Sequence, residues 1–169
     1  MTPAYIGLGS NLDNPLAQLR GAATALAGLP GTHLQALSPI YRSAPVGPGE
    51  QDDYLNAVAR IACVLSAADL LAALHGIEQA HRRERRERWG PRTLDLDLLL
   101  FGDARSDDPA LLLPHPRMAE RDFVLLPLRD VWDDNCLLPD GAELGTLVRR
   151  CPRGRLEKTE YQFGEIPRH

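Results

Sequence analysis

Residues 94–101, Leu-Asp-Leu-Asp-Leu-Leu-Leu-Phe, constrain the fold more than any other part of this chain. An apolar run of this length, just after the Gly90-Pro91 break, predicts a buried strand. Side chains at i and i+2 of a strand share a face, about 6.6–6.8 Å apart along the chain. Asp95 and Asp97 are therefore expected side by side. Two carboxylates about 5 Å apart repel by about 3 kcal/mol at an effective dielectric near 20. Such a pair needs a cation, or one member must take up a proton. Oxygen-only ligands suit Mg²⁺, which is commonly held by one or two carboxylates plus substrate phosphates. The spacing also suits two ions about 3.5–4 Å apart. The plain alternative is a solvated strand edge.

The residues before this run weigh against that alternative. Arg82, Arg83, Arg85, Arg86, Arg88 and Arg92 are six of 19 basic residues in a chain of net charge −4. A local basic cluster on an acidic protein fits a compact anion better than a long nucleic acid, for which a broadly basic surface is expected. The arginine fork binds phosphate bidentately. Before Trp89 the same residues also read as a solvated helix end, because Glu78/Arg82 and Glu84/Arg88 have i,i+4 spacing. Arg92 lies past the Gly-Pro break, three residues before Asp95, and is the foremost phosphate candidate.

At 169 residues and 44% hydrophobic, the chain can bury one core, so a single domain over 1–169 is expected. No apolar stretch approaches the 18 residues of a membrane span, and residues 1–5 lack the pattern of a signal peptide. Cys63, Cys136 and Cys151 are odd in number and widely spaced, which predicts reduced thiols in a cytoplasmic protein. A monomer is expected, with no nucleic-acid or membrane partner.

The element order reads as follows. Residues 5–8 form a strand. Asn14-Pro15 is a cap and first-turn pair for a helix closed by Pro30-Gly31. Residues 33–41 form a second strand, residues 43–53 a loop with two glycines and two prolines, and residues 54–64 a third strand. Ser66 with Asp69 resembles a capping box for a helix to about residue 81. Residues 94–101 are the fourth strand. This is an α+β protein with a ferredoxin-like βαββαβ core, its antiparallel sheet covered by helices. The C-terminal extension is less regular: residues 123–129 and 143–150 are short helix candidates, and residues 151–169 show no assignable pattern. The P-loop motif is absent, and Gly7-Leu8-Gly9 does not extend to a dinucleotide fingerprint because position 12 is leucine. Phosphate binding therefore falls to side chains and metal.

Residues 88–97, Arg-Trp-Gly-Pro-Arg-Thr-Leu-Asp-Leu-Asp, resemble the characteristic motif of the 6-hydroxymethyl-7,8-dihydropterin pyrophosphokinase family of the folate pathway. Residues 5–12, 41–45, 53–57, 114–118 and 121–123 are similar to its other segments, in order. The resemblance implies transfer of the β,γ-pyrophosphoryl group of ATP to the pterin hydroxymethyl, with release of AMP. It implies that Asp95 and Asp97 hold two Mg²⁺ ions, and that Arg92 and a loop arginine, Arg83 by spacing, stabilise charge on the transferred group. For ATP it points to His75, Glu78, Arg83, Arg85, Arg92, Leu98, His115 and Arg121. For the pterin it points to Ser43, Ala44 and Val46, to Trp89 and Asp95, and to Tyr54, Asn56 and Phe123.

Residue chemistry supports the last three, since a flat electron-poor bicycle suits stacking between rings and an amide both donates and accepts at its edge. Tyr54 and Phe123 taken alone read equally as core. The chain departs from the family pattern at 81–85, one residue short and without the usual glycine, and at Ala110 and Leu112. The loop 43–53 and the arginine stretch are expected to fold over bound substrates. Two other classes compete: a ferredoxin-like RNA-binding domain, and a metal-dependent nuclease or nucleotidyltransferase. Asp97→Ala is expected to abolish pterin-dependent AMP release with far-ultraviolet circular dichroism unchanged. Near-normal turnover contradicts the metal role.

Overall fold

The computed structural model describes residues 1–45, 52–84 and 94–166, with the side chains of residues 83 and 84 outside the description. It is a mixed α/β structure in which an antiparallel sheet is covered by helices. The strands are β1 (Thr2–Ser10), β2 (Thr32–Leu37), β3 (Tyr41–Ser43), β4 (Tyr54–Cys63) and β5 (Asp95–Phe101), then the short β6 (Ser106–Asp108), β7 (Leu111–Leu113) and β8 (Leu156–Lys158). The helices are α1 (Pro15–Ala27), α2 (Ala67–Glu84), α3 (Asp122–Val131) and α4 (Leu144–Arg150), with a 3₁₀ turn at Met118–Glu120.

The main sheet runs β5-β1-β4-β3-β8, with β2 also on β4. β1 lies in the middle, antiparallel to β4 on one side and β5 on the other. Period-two patterning divides the residues between two cores. Ala4, Ile6 and Leu8 of β1, Ala57, Ala59 and Ile61 of β4, and Leu96 and Leu98 of β5 pack with Leu19, Leu26, Leu70 and Leu74 of α1 and α2. Tyr5, Val58 and Leu99 face the other way and pack with Val124, Leu125 and Leu128 of α3 and Val148 of α4. The second layer covers only part of its face. Beyond it Gly7, Gly9, Asn56, Asp95 and Asp97 look into a cavity.

The helix signals operate as expected. Asn14 sits in the left-handed region at φ 64° and accepts from the Ala17 N–H, with Pro15 opening the first turn. Ser66 Oγ accepts from the Asp69 N–H at 3.1 Å. Helix α2 continues three residues past the expected end at 81. The candidates at 123–129 and 143–150 correspond to α3 and α4.

Two expectations are corrected. The strand expected over 33–41 is two strands, which pair with different parts of β4. Pro39 has no N–H to continue the ladder. Ser38 bridges the gap: its N–H donates to the Val58 carbonyl, and its Oγ accepts from the Val58 N–H, both at 2.9 Å. The tail also has structure. β8 pairs with β3, and Phe163 packs against the α1/α2 core.

Tyr41 of β3 donates to the Asp130 carboxylate of α3, which ties sheet to helix. Burial, then the bond to Asp130 and that carboxylate's charge, push the Tyr41 phenol above its ordinary range. Burial does the same to Tyr5, whose oxygen accepts from the Asp133 N–H and whose hydroxyl donates to Cys136 Sγ. A phenol whose folded value is raised contributes stability that is intact below the unfolded value near 10 and is lost as pH rises through the folded value. Unfolding free energy is thus expected to decline between about pH 9.5 and 11. Tyr41→Phe is expected to make that decline shallower in urea titrations, and equal slopes contradict the assignment.

Candidate functional site

The cavity has a volume of about 740 Å³, within the usual range of about 300–1,000 Å³ for small-molecule sites. Its floor is made by strand pairing. Gly9 lies between Asn56 and Asp95, and Gly7 lies between Val58 and Asp97. Each row crosses three strands with glycine in the centre, so the floor is low between two taller edges. A Cβ at Gly9 would come within 3.5 Å of Asn56 Oδ1, and one at Gly7 within 3.6 Å of Leu99. Neither clashes, so the glycines serve the open space above them and not the packing.

The walls come from three other segments. Ser43 ends β3 and Ala44 follows it, Tyr54 begins β4, and Arg117, Glu120, Arg121, Phe123 and Val124 come from around the 3₁₀ turn and the start of α3. Buried Asn56 donates from Nδ2 to Ser43 Oγ at 2.7 Å, which orients the amide toward the cavity edge. Arg121 lies 5.7 Å from the centre of the Phe123 ring, a cation–π distance. Burial raises the Tyr54 phenol above its ordinary value, and the Asp95 charge adds to the shift. Tyr54 and Asp95 thus sense each other across the floor.

His115 joins the carboxylate side through a bulge. Tyr5 pairs with Leu100 but Ile6 with Leu98, so Leu99 is the extra residue on β5. Its carbonyl accepts from the His115 N–H at 2.9 Å. His115 Nδ1 accepts from the Arg117 N–H at 3.3 Å, which leaves Nε2 as the protonated nitrogen of the neutral ring. Nε2 is 4.0 Å from Asp97 Oδ1. Burial lowers the His115 pKa, Asp97 opposes the shift, and Arg121 and Arg117 lower it further. At neutral pH the ring is uncharged and leaves the Asp97 carboxylate available to a cation.

The structure thus gathers Ser43, Ala44, Tyr54, Asn56, Asp95, Asp97, Arg121 and Phe123 around one cavity, with His115 against Asp97. It sets others apart. His75 is exposed on α2. Glu78 accepts the Leu96 N–H at 3.0 Å and braces the free edge of β5. The Leu98 side chain is buried under α1 and α2, on the opposite face from the aspartates. Main-chain groups two residues apart on a strand point the same way, so Leu98, like Leu96, directs its own to the free edge. Val46, Arg85, Trp89, Arg92 and the Arg83 side chain lie outside the described residues.

Reasoning from sequence overlooked Gly7 and Gly9 as the floor, and Arg117 and Glu120 as part of the rim. The glycines carried a signal, since spacing of two inside a strand puts both on one face.

An acidic floor edge, a basic rim and an aromatic wall define a site for a flat, polar ring and an anionic group carried with a cation. Comparisons with known proteins narrow this class. A family model described as 7,8-dihydro-6-hydroxymethylpterin-pyrophosphokinase (HPPK) matches residues 5–133. The 2-amino-4-hydroxy-6-hydroxymethyldihydropteridine pyrophosphokinase of Pseudomonas aeruginosa is 47% identical over 154 residues, 91% of this chain and 94% of that protein. Its Haemophilus influenzae counterpart is 45% identical over 150 residues, 89% of this chain and 93% of that protein. The crystal structure of wild-type Plasmodium falciparum HPPK-DHPS with pterin and p-hydroxybenzoate matches 88% of this chain with a TM-score of 0.67. At 14% identity that likeness concerns the fold alone, and this chain spans 43% of that one. The chain belongs to the 7,8-dihydro-6-hydroxymethylpterin-pyrophosphokinase family.

Glu78→Ala is expected to lower the unfolding free energy by about 1 kcal/mol, because the Leu96 N–H loses its acceptor and is rehydrated only in part. Glu78→Gln is expected to retain most of that stability. A urea midpoint unchanged in Glu78→Ala contradicts the bracing role.

Proposed function

We propose that this protein transfers the pyrophosphoryl group of ATP to the hydroxymethyl group of 6-hydroxymethyl-7,8-dihydropterin in folate biosynthesis. The relatives' names and the family membership support the reaction. The observation that carries it to this chain is the shared cavity: Tyr54, Asn56 and Phe123 line the same space as Asp95 and Asp97.

In the reaction the pterin hydroxyl oxygen bonds to the β-phosphorus while the bond from that phosphorus to the bridging oxygen of AMP breaks. Such transfer depends on positioning and charge neutralisation more than on covalent help from the protein. Tyr54 and Phe123 stack the ring, and Asn56 and Ser43 meet its polar edge. Arg121 faces the phosphates. Neutral His115 stands beside Asp97, its Nε2 4.0 Å from Oδ1, without cancelling the charge. Arg92, Arg83 and Arg85 serve the phosphates in this proposal, Val46 and Trp89 the pterin, and His75, Glu78 and the Leu98 main chain the nucleotide, all by the family resemblance.

Asp95 and Asp97 fit Mg²⁺. They are two hard oxygen donors on one face, too few to fill an octahedral shell. The remaining positions therefore fall to phosphate and water, as Mg²⁺ prefers. Bound there, two Mg²⁺ ions would supply charge neutralisation on the phosphates and acidify the attacking hydroxyl.

The strand order, fourth-first-third-second for the four main segments with α1 and α2 as crossovers, supports a ferredoxin-like core within a single domain over 1–169. Three free cysteines support a cytoplasmic location. An RNA-binding reading is not favoured, because the matching family model and the most similar relatives are pyrophosphokinases. Purified protein given Mg²⁺, ATP and the hydroxymethyl-dihydropterin is expected to release AMP only when the pterin is present. AMP formed equally without pterin, or none from folded protein, contradicts the proposal.

A further inference from the structure

Three consecutive residues of the tail, Gly154-Arg155-Leu156, each contact a different segment that forms or adjoins a wall of the cavity. The Gly154 N–H donates to Asp122 Oδ2 at 2.8 Å, and Asp122 is buried between the rim residues Arg121 and Phe123 in sequence. The Arg155 guanidinium donates to Asp53 Oδ1 at 2.5 Å, and Asp53 immediately precedes Tyr54. Leu156 stands opposite Ser43 in the β3–β8 ladder. The tail is held beyond this point as well. Thr159 donates to the Ile40 carbonyl from both its N–H and its hydroxyl, at 2.9 and 2.7 Å. Arg20 of α1 donates twice to the Gln162 carbonyl, at 2.9 and 2.7 Å.

None of these tail residues lies in the segment 5–133 that the family model matches. We infer that Gly154–Leu156 is a clamp that sets the spacing of the pterin pocket's walls, with Arg155 as a positioning residue that acts through Asp53 on Tyr54. This inference rests on the pyrophosphokinase reading above.

The physical case is the convergence. Strand β3 is only three residues long, and without β8 it would be an edge strand held by β4 on one side. Asp53 is extended chain just ahead of β4. On the other side of that chain, Asn11 Nδ2 donates to the Asp52 carbonyl at 3.3 Å. Arg155 and Asn11 thus grip adjacent residues at the point where the chain enters the pocket wall at Tyr54. Arg155 is 59% exposed and Asp53 28%, so the ion pair adds little to global stability. Its effect is expected in ring positioning and not in folding.

The test is a set of variants, Arg155→Ala, Asp53→Ala, the double variant and Arg155→Lys, assayed for AMP release with each substrate varied in turn, alongside melting temperatures. Arg155→Ala is expected to raise the KM for pterin about two- to five-fold, the range expected of an exposed pair, with the KM for ATP and the melting temperature unchanged. Asp53→Ala is expected to match it, the double variant to be no worse than either single, and Arg155→Lys to restore most of the loss. Unchanged pterin KM, equal rises for both substrates, or a lowered melting temperature without a pterin effect would each overturn the clamp. Should Arg155→Ala fail to fold, the milder pair Arg155→Gln and Asp53→Asn carries the same comparison. Absence of pterin-dependent AMP in the wild type would instead overturn the reaction itself, so the two failures are distinct.

Discussion

The pairing of β1 with β5 is the constraint on which the rest depends. It sets Gly7 opposite Asp97 and Gly9 opposite Asp95. β5 can carry two carboxylates only because its other face, with Leu96 and Leu98, is buried under α1 and α2. A slip of one residue would send both carboxylates into that core and both leucines into the cavity. Burying unpaired carboxylates in an apolar core is far costlier than any local adjustment, so the hydrophobic pattern enforces the register of the site. The same pairing leaves a bulge at Leu99, and the freed carbonyl anchors His115 beside Asp97.

Charge balance follows from that geometry. Asp95 and Asp97 share one face of β5, each opposite a glycine of β1. His115 Nε2 lies 4.0 Å from Asp97 Oδ1, and its burial together with Arg117 and Arg121 lowers its pKa. The floor thus carries two acidic side chains, and the rim carries Arg117 and Arg121. A ligand that brings phosphate to the rim and a divalent cation to the floor satisfies both. The rest of the cavity is built from groups of different kind, a buried amide–hydroxyl pair and two aromatic rings, and it shares the glycine floor.

Much of this was legible in the residues. Period two over 94–101 placed the aspartates on one face, and the caps at Asn14 and Ser66 marked the helices, because these signals are local. Tyr54, Asn56 and Phe123 were legible through the family resemblance, with residue chemistry in support. Alone, an aromatic and an amide on a buried strand read as core, and their convergence depends on the docking of α3 across the sheet. The break at Pro39 was visible in composition, yet its bridging by Ser38 depends on Val58, twenty residues away. The tail was illegible for the same reason. Gly154-Arg155-Leu156 has no pattern of its own, and each of its partners lies 32 or more residues away along the chain.

The central claim is that one glycine-floored cavity holds the pterin and the cation-bound phosphates together, with Asp95 and Asp97 between them. A crystal structure of the ternary complex with Mg²⁺, the pterin and an ATP analogue blocked at the α,β bridge tests it most directly. The account predicts the pterin between Tyr54 and Phe123 with its edge on Asn56, and Mg²⁺ bound to oxygens of Asp95 and Asp97 at about 2.0–2.1 Å. A pterin seated away from the Gly7–Gly9 floor, or phosphates whose Mg²⁺ contacts neither aspartate, would contradict it.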